Sequence, residues 1–161
     1  MKRIAVYPGS FDPVTYGHLD IVKRSLELFD QVIIAVLSNT MKKSLFTADE
    51  RYDMLMKVTS VLPNVQVDIF SGLLVDYIKN KSAIAIIKGL RAISDFEHEF
   101  QMALMNKKLN PKIETLFMMT NEKYLYLSSS MVKEIVELKG NVLDFVPSYV
   151  SKKLKEKLNL N

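Results

Sequence analysis

The chain has 161 residues, 25% of them charged, and no cysteine. That length suits one domain able to bury roughly two-thirds of its unfolded surface, and the missing cysteines exclude disulfides, thiol nucleophiles and cysteine-based metal sites. The net charge of +4 sits mostly in the tail, where Lys152, Lys153, Lys155 and Lys157 stand against Glu156, so no basic face for nucleic acid is expected.

The first element is a short apolar run, Ile4–Tyr7, which reads as a buried strand. It leads into the loop Gly9-Ser10-Phe11-Asp12-Pro13-Val14-Thr15-Tyr16-Gly17-His18 and then a helical pattern through Leu19, Val22, Leu26 and Phe29. A second strand is predicted at Val32–Leu37. The capping box Thr47-x-x-Glu50 then opens a helix carrying Tyr52, Leu55, Thr59 and Leu62. Further strands follow at Val65–Phe70, Ile84–Lys88 and Thr115–Met119, with a second capping box at Ser94-x-x-Glu97. Ser128-Ser129-Ser130 precedes a helical pattern at Met131–Leu138, and a basic helix is expected at about 147–159 around Val150, Leu154 and Leu158. The nine methionines, Met54, Met56, Met102 and Met105 among them, read as core filler.

Repeated strand–helix units predict a Rossmann-like α/β fold: a doubly wound parallel five-stranded sheet with helices on both faces, in one domain spanning 1–161. No apolar run approaches the ~20 residues of a membrane span, and the start reads as a strand instead of a signal segment. A soluble, cytoplasmic protein without membrane partners is the expectation.

In such sheets ligands bind beyond the carboxyl ends of the strands, and the unusual polar residues fall in those loops. His18 arrives at the first turn of a helix behind a Gly/Ser/Pro loop, where free N–H groups and the helix dipole favour an anion. Lys88-Gly89-Leu90-Arg91 sets two cations around a glycine at a strand end. One serine of Ser128–Ser130 caps a helix, leaving hydroxyls and N–H groups for a second anion. Lys42, after the second strand, is equally well read as surface charge. His98, mid-helix among charged residues, reads as solvated.

The stretch Gly9–Pro13 with Thr15-Tyr16-Gly17-His18 resembles the signature of the T/H-x-G-H nucleotidyltransferase superfamily. Ile87–Arg91, Asp95-Phe96-Glu97 and Leu127–Lys133 narrow the resemblance to the bacterial phosphopantetheine adenylyltransferases. That resemblance implies transfer of an adenylyl group from ATP to 4′-phosphopantetheine, giving dephospho-coenzyme A and pyrophosphate. It also implies Mg2+ carried with ATP and no protein-held metal, a homohexamer, and coenzyme A as a candidate feedback inhibitor. His18 would stabilise the transition state at the α-phosphate. Ser10, Lys42, Leu74 and Lys88 would bind phosphopantetheine, with Lys42 also catalytic. ATP contacts would come from Ser10, Phe11, His18, Gly89, Leu90, Arg91 and Glu99, and from Tyr124, Leu125, Tyr126, Leu127, Ser128, Ser129 and Ser130. Ser10 stands where threonine is usual in the family and Lys88 where arginine is usual, which implies altered affinity for the substrate phosphate. The alternatives are a sister transferase using another phosphorylated acceptor, such as nicotinamide mononucleotide, and a non-catalytic nucleotide-binding module.

Overall fold

Strands covered by helices on both faces carry apolar side chains at successive positions, and this sheet is built that way. The computed structural model describes residues 2–38, 43–91 and 93–160. In chain order the elements are β1 (Ile4–Gly9), α1 (Tyr16–Leu28), β2 (Gln31–Leu37), α2 (Ala48–Thr59), β3 (Val65–Phe70) and α3 (Leu74–Asn80). There follow β4 (Ala85–Leu90), α4 (Ile93–Leu109), β5 (Glu114–Met119), a 3-10 turn (Glu122–Tyr124), α5 (Ser129–Glu137) and α6 (Ser148–Lys157). The strand order is β3-β2-β1-β4-β5, and every pairing is parallel. This is the expected doubly wound sheet, and its order reverses between β1 and β4.

Side-chain alternation divides the core into two layers. Ala5, Tyr7, Ile34, Val36 and Ile87 pack under α1, α2, α5 and α6. Val6, Ile33, Ala35 and Ile86 face the other way, against Val75 and Ile78 of α3. Ile33, Ile34, Ile86 and Ile87 are each at most 2% exposed, a burial worth about 1.5–3 kcal/mol per side chain. α6 lies within its expected bounds, with Val150 and Leu154 fully buried.

The departures from the sequence reading are local. β4 runs on to Leu90 because Lys88 and Gly89 continue the ladder opposite Phe117 and Met118. The Thr47–Glu50 capping box forms as expected, whereas α4 already begins at Ile93, so Ser94 lies inside the helix. α3 starts without a capping side chain, which is why no start signal marks it. Met54 is core, but Met56, Met102 and Met105 are exposed, correcting their reading as filler. α4 carries Phe96, Phe100 and Leu104 along one side and Met102, Met105 and Leu109 along another, all 42–58% exposed. A helix apolar on several sides is ordinarily covered by other structure. Among the described residues no helix is long and apolar enough to cross a membrane.

Candidate active site

A cavity of about 360 Å³ opens where the strand order reverses, the usual ligand position in such a sheet. Tyr7 of β1 and Gly89 of β4 line it, as do Thr15, Gly17, His18 and Ile21 around the start of α1. Arg91, His98 and Glu99 stand across from them, and Thr120, Tyr124 and Leu127–Ser130 complete the wall.

Local hydrogen bonding determines what His18 can do. Thr15 caps α1: its hydroxyl accepts from the His18 N–H at 3.4 Å, while the Thr15 N–H donates to His18 Nδ1 at 3.0 Å. This is a capping box with histidine in the place ordinarily held by Glu or Gln. Because Nδ1 accepts a hydrogen bond, the neutral ring carries its proton on Nε2. Burial, aided by the positive charge of Arg91, lowers the His18 pKa to about 4. At neutral pH the cavity therefore meets an uncharged ring with one N–H to donate.

The ring is held from behind by Phe11, whose edge meets it with centroids 5.1 Å apart. Phe11 is 2% exposed and adopts φ +50, a strained left-handed conformation for a bulky residue. A Cβ on Gly9 would lie 3.0 Å from the Phe11 ring, so glycine is what admits the ring there. Tyr7 is likewise buried, and desolvation raises its hydroxyl pKa, keeping the phenol neutral.

The serine segment divides its work. Ser128 caps α5, accepting from the Met131 N–H at 3.1 Å. Ser129 donates its hydroxyl to the Pro13 carbonyl at 2.7 Å, tying α5 to the loop after β1. The Ser130 hydroxyl and the N–H groups of Ser129 and Ser130 remain for an anion. Arg91 braces the far side through Nη1 to the Leu127 carbonyl at 3.1 Å.

A family model described as cytidylyltransferase-like matches residues 6–135. The phosphopantetheine adenylyltransferase of Caldanaerobacter subterraneus subsp. tengcongensis is 61% identical over 155 residues, covering 96% of this chain and 97% of its own. Those of Carboxydothermus hydrogenoformans (57% identical, 96% and 96% covered) and Alkaliphilus metalliredigens (52%, 96% and 99%) match over the same length. This chain belongs to the phosphopantetheine adenylyltransferase family. Among solved structures, the Plasmodium falciparum nicotinic acid mononucleotide adenylyltransferase complexed with NaAD superposes with a TM-score of 0.67. It covers 99% of this chain and 97% of that one, but at 16% identity it speaks for the fold alone.

Of the residues that the resemblance to phosphopantetheine adenylyltransferases singles out, the cavity gathers His18, Gly89, Arg91, Glu99, Tyr124, Leu127, Ser128, Ser129 and Ser130. Lys88 does not line it, but its Nζ lies 3.0 Å from Glu99 Oε2. That oxygen has no well-directed hydrogen bond, so the pair is held by charge. Phe11 and Leu90 are buried, which leaves only their backbones to meet a nucleotide. Leu125 and Tyr126 are exposed outside the cavity, Tyr126 packing against Phe145. Ser10 is exposed and does not line the cavity, and Leu74 begins α3 on the opposite face of the sheet. Lys42 lies outside the described residues. Tyr7, Ile21 and Thr120 carry no sequence signal, and His98 is exposed, as its reading as solvated expects, while also bordering the cavity. The position of His98 one residue before Glu99, in the helix after β4, was the available signal.

Proposed function

We propose that this chain transfers the adenylyl group of ATP to 4′-phosphopantetheine, releasing pyrophosphate and dephospho-coenzyme A. The observation that carries the mechanism is the Thr15 N–H on His18 Nδ1, which presents Nε2–H as a fixed donor. A phosphate oxygen of the acceptor, anionic at neutral pH, attacks the α-phosphorus in line as the bond to the β-phosphate oxygen breaks. The electron pair leaves on pyrophosphate, and no general base or covalent intermediate is needed. His18 donates to an α-phosphate oxygen as charge builds there. Arg91, Ser130 and the α5 N–H groups hold the triphosphate, while Ser10, Lys42 and Lys88 hold the acceptor phosphate. Lys88 exchanges Glu99 for substrate as it does so.

Mg2+ would be carried by the nucleotide, held mainly by phosphates and water as is ordinary for magnesium, and would supply neutralisation of the phosphate charge. Among the described residues no three acidic or histidine side chains converge as a metal cage. The reading extends to a single cytoplasmic catalytic domain that assembles as a homohexamer, with coenzyme A competing through the pantetheine arm. The apolar rows of α4 supply the surface for self-association.

Pyrophosphate release is the deciding measurement. It is expected only with ATP and 4′-phosphopantetheine together. Release with nicotinamide mononucleotide as acceptor, or none with phosphopantetheine, would overturn this reading.

A further inference from the structure

Two buried charges of opposite sign join the loop after β1 to the loop after β2, and neither lines the cavity. Arg51 of α2 is 4% exposed. Its Nη1 donates to the Ser10 carbonyl at 2.6 Å and the Leu37 carbonyl at 3.1 Å, and its Nε to the Thr47 carbonyl at 3.2 Å. Asp12 is 6% exposed. Its carboxylate accepts from the N–H groups of Leu45 and Phe46 at 2.9 Å each, and from Lys133 Nζ at 2.9 Å.

Desolvating such charges costs several kcal/mol each, which only well-placed partners offset. Here most of the partners are backbone groups of the two loops themselves. Arg51 grips Leu37 and Thr47, on either side of the β2–α2 connection, and ties both to Ser10. Asp12 grips the same connection at Leu45 and Phe46. The planar fork of arginine reaches three carbonyls at once; a lysine ammonium keeps the charge without that geometry. The bonds lie on the β2 side of β1, whereas the cavity lies on the β4 side.

We infer that Arg51 and Asp12 are positioning residues for the acceptor half of the reaction: they set the backbone on which Ser10 stands, and so where the acceptor phosphate sits against the nucleotide. The inference rests on the proposed function, because it takes Ser10 as an acceptor contact. A misplacement of about 1 Å between reacting groups costs about 10²-fold in rate. Arg51→Lys and Asp12→Asn are therefore expected to lower kcat/KM for 4′-phosphopantetheine by about 10- to 100-fold. ATP affinity measured without acceptor should stay within about twofold, since the ATP cavity keeps its lining.

The test is steady-state kinetics on the full chain with each substrate varied, beside thermal melts of every variant. Wild-type activity with phosphopantetheine serves as the control for the functional reading, and its absence would sink that reading separately. A loss of ATP affinity, measured without acceptor, as large as the loss toward phosphopantetheine, or unchanged constants, overturns the positioning role. A double-mutant cycle adds a readout that a merely structural role would not move. If Arg51 acts through Ser10, adding Ser10→Ala to Arg51→Lys should weaken acceptor use far less than Ser10→Ala does alone, and additivity overturns the inference. Should the variants not fold, amide hydrogen exchange in the wild type decides. Phosphopantetheine should slow exchange at Leu45 and Phe46 while a non-hydrolysable ATP analogue leaves it unchanged, and equal protection by both overturns the inference.

Discussion

The loop between β1 and α1 and the helix α4 both border the cavity, yet they are built on opposite plans. In the loop, the Ser10 and Pro13 carbonyls, the Asp12 carboxylate and the Thr15 N–H and hydroxyl all have partners, and Phe11 to Thr15 are buried. Among its described side chains α4 buries Asn106 alone and leaves six large apolar residues 42–58% exposed. The proposed chemistry is thus mounted on backbone fixed from several directions at once. The helix beside it leaves its apolar surface bare, and that is the surface proposed for self-association.

The largest effect should come from the fixed side. His18→Ala is expected to lower kcat by about 10²–10³-fold, the usual loss when a preorganised donor is removed, with ATP binding much less affected. Turnover near wild type in that variant would show that the rigid loop serves something other than the transferring phosphate. On the other side, Leu104→Lys with Met105→Lys should break the proposed assembly, since lysines are poorly tolerated where apolar surface is to be buried. Sedimentation velocity checks this, and an unchanged particle size would remove α4 from the interface.

A smaller effect concerns protons. The His18 pKa falls from 6.5 to about 4 on folding, so between those values the unfolded chain binds a proton that the native chain refuses. Stability therefore falls as pH drops from 6.5 toward 4, with a slope approaching ~1.4 kcal/mol per pH unit from this residue. Denaturation curves at several pH values should show that slope in the wild type and not in His18→Asn. Nitrogen NMR should find the His18 proton on Nε2, and bound triphosphate should raise its pKa by opposing charge. The smallest change is expected from Lys88→Arg, which keeps the cation facing Glu99 and adds a bidentate fork. Activity should persist with equal or tighter phosphopantetheine binding, measured as KM; complete inactivation would refute the acceptor role of this position.

What the sequence made legible follows from how far apart the interacting residues are. Val32–Leu37 falls within β2 because two-sided burial imposes an unbroken apolar run. The predicted strand stops at Lys88, two residues short of the end of β4, since a glycine beside a charged residue suits a loop although the ladder carries it onward. The role of His18 as a cap partner had no sequence signal, because capping boxes are recognised by Glu or Gln. Arg51 on Ser10 and Asp12 on Phe46 join residues 41 and 34 positions apart, which no local pattern reveals. The same holds for α4, whose apolar residues resemble core residues until the neighbouring elements are seen to leave them bare.

The hydrogen bond from Thr15 to His18 has a further consequence, for water. A water molecule attacking ATP would need to shed a proton as it reacts, whereas a phosphate acceptor would not. His18 has no lone pair to offer it, since Nδ1 is engaged and Nε2 already holds hydrogen. Glu99, the carboxylate on the cavity wall, faces the charge of Lys88. In the proposed reaction, then, His18 steadies the transferring phosphate while giving a stray solvent molecule no help in becoming a nucleophile.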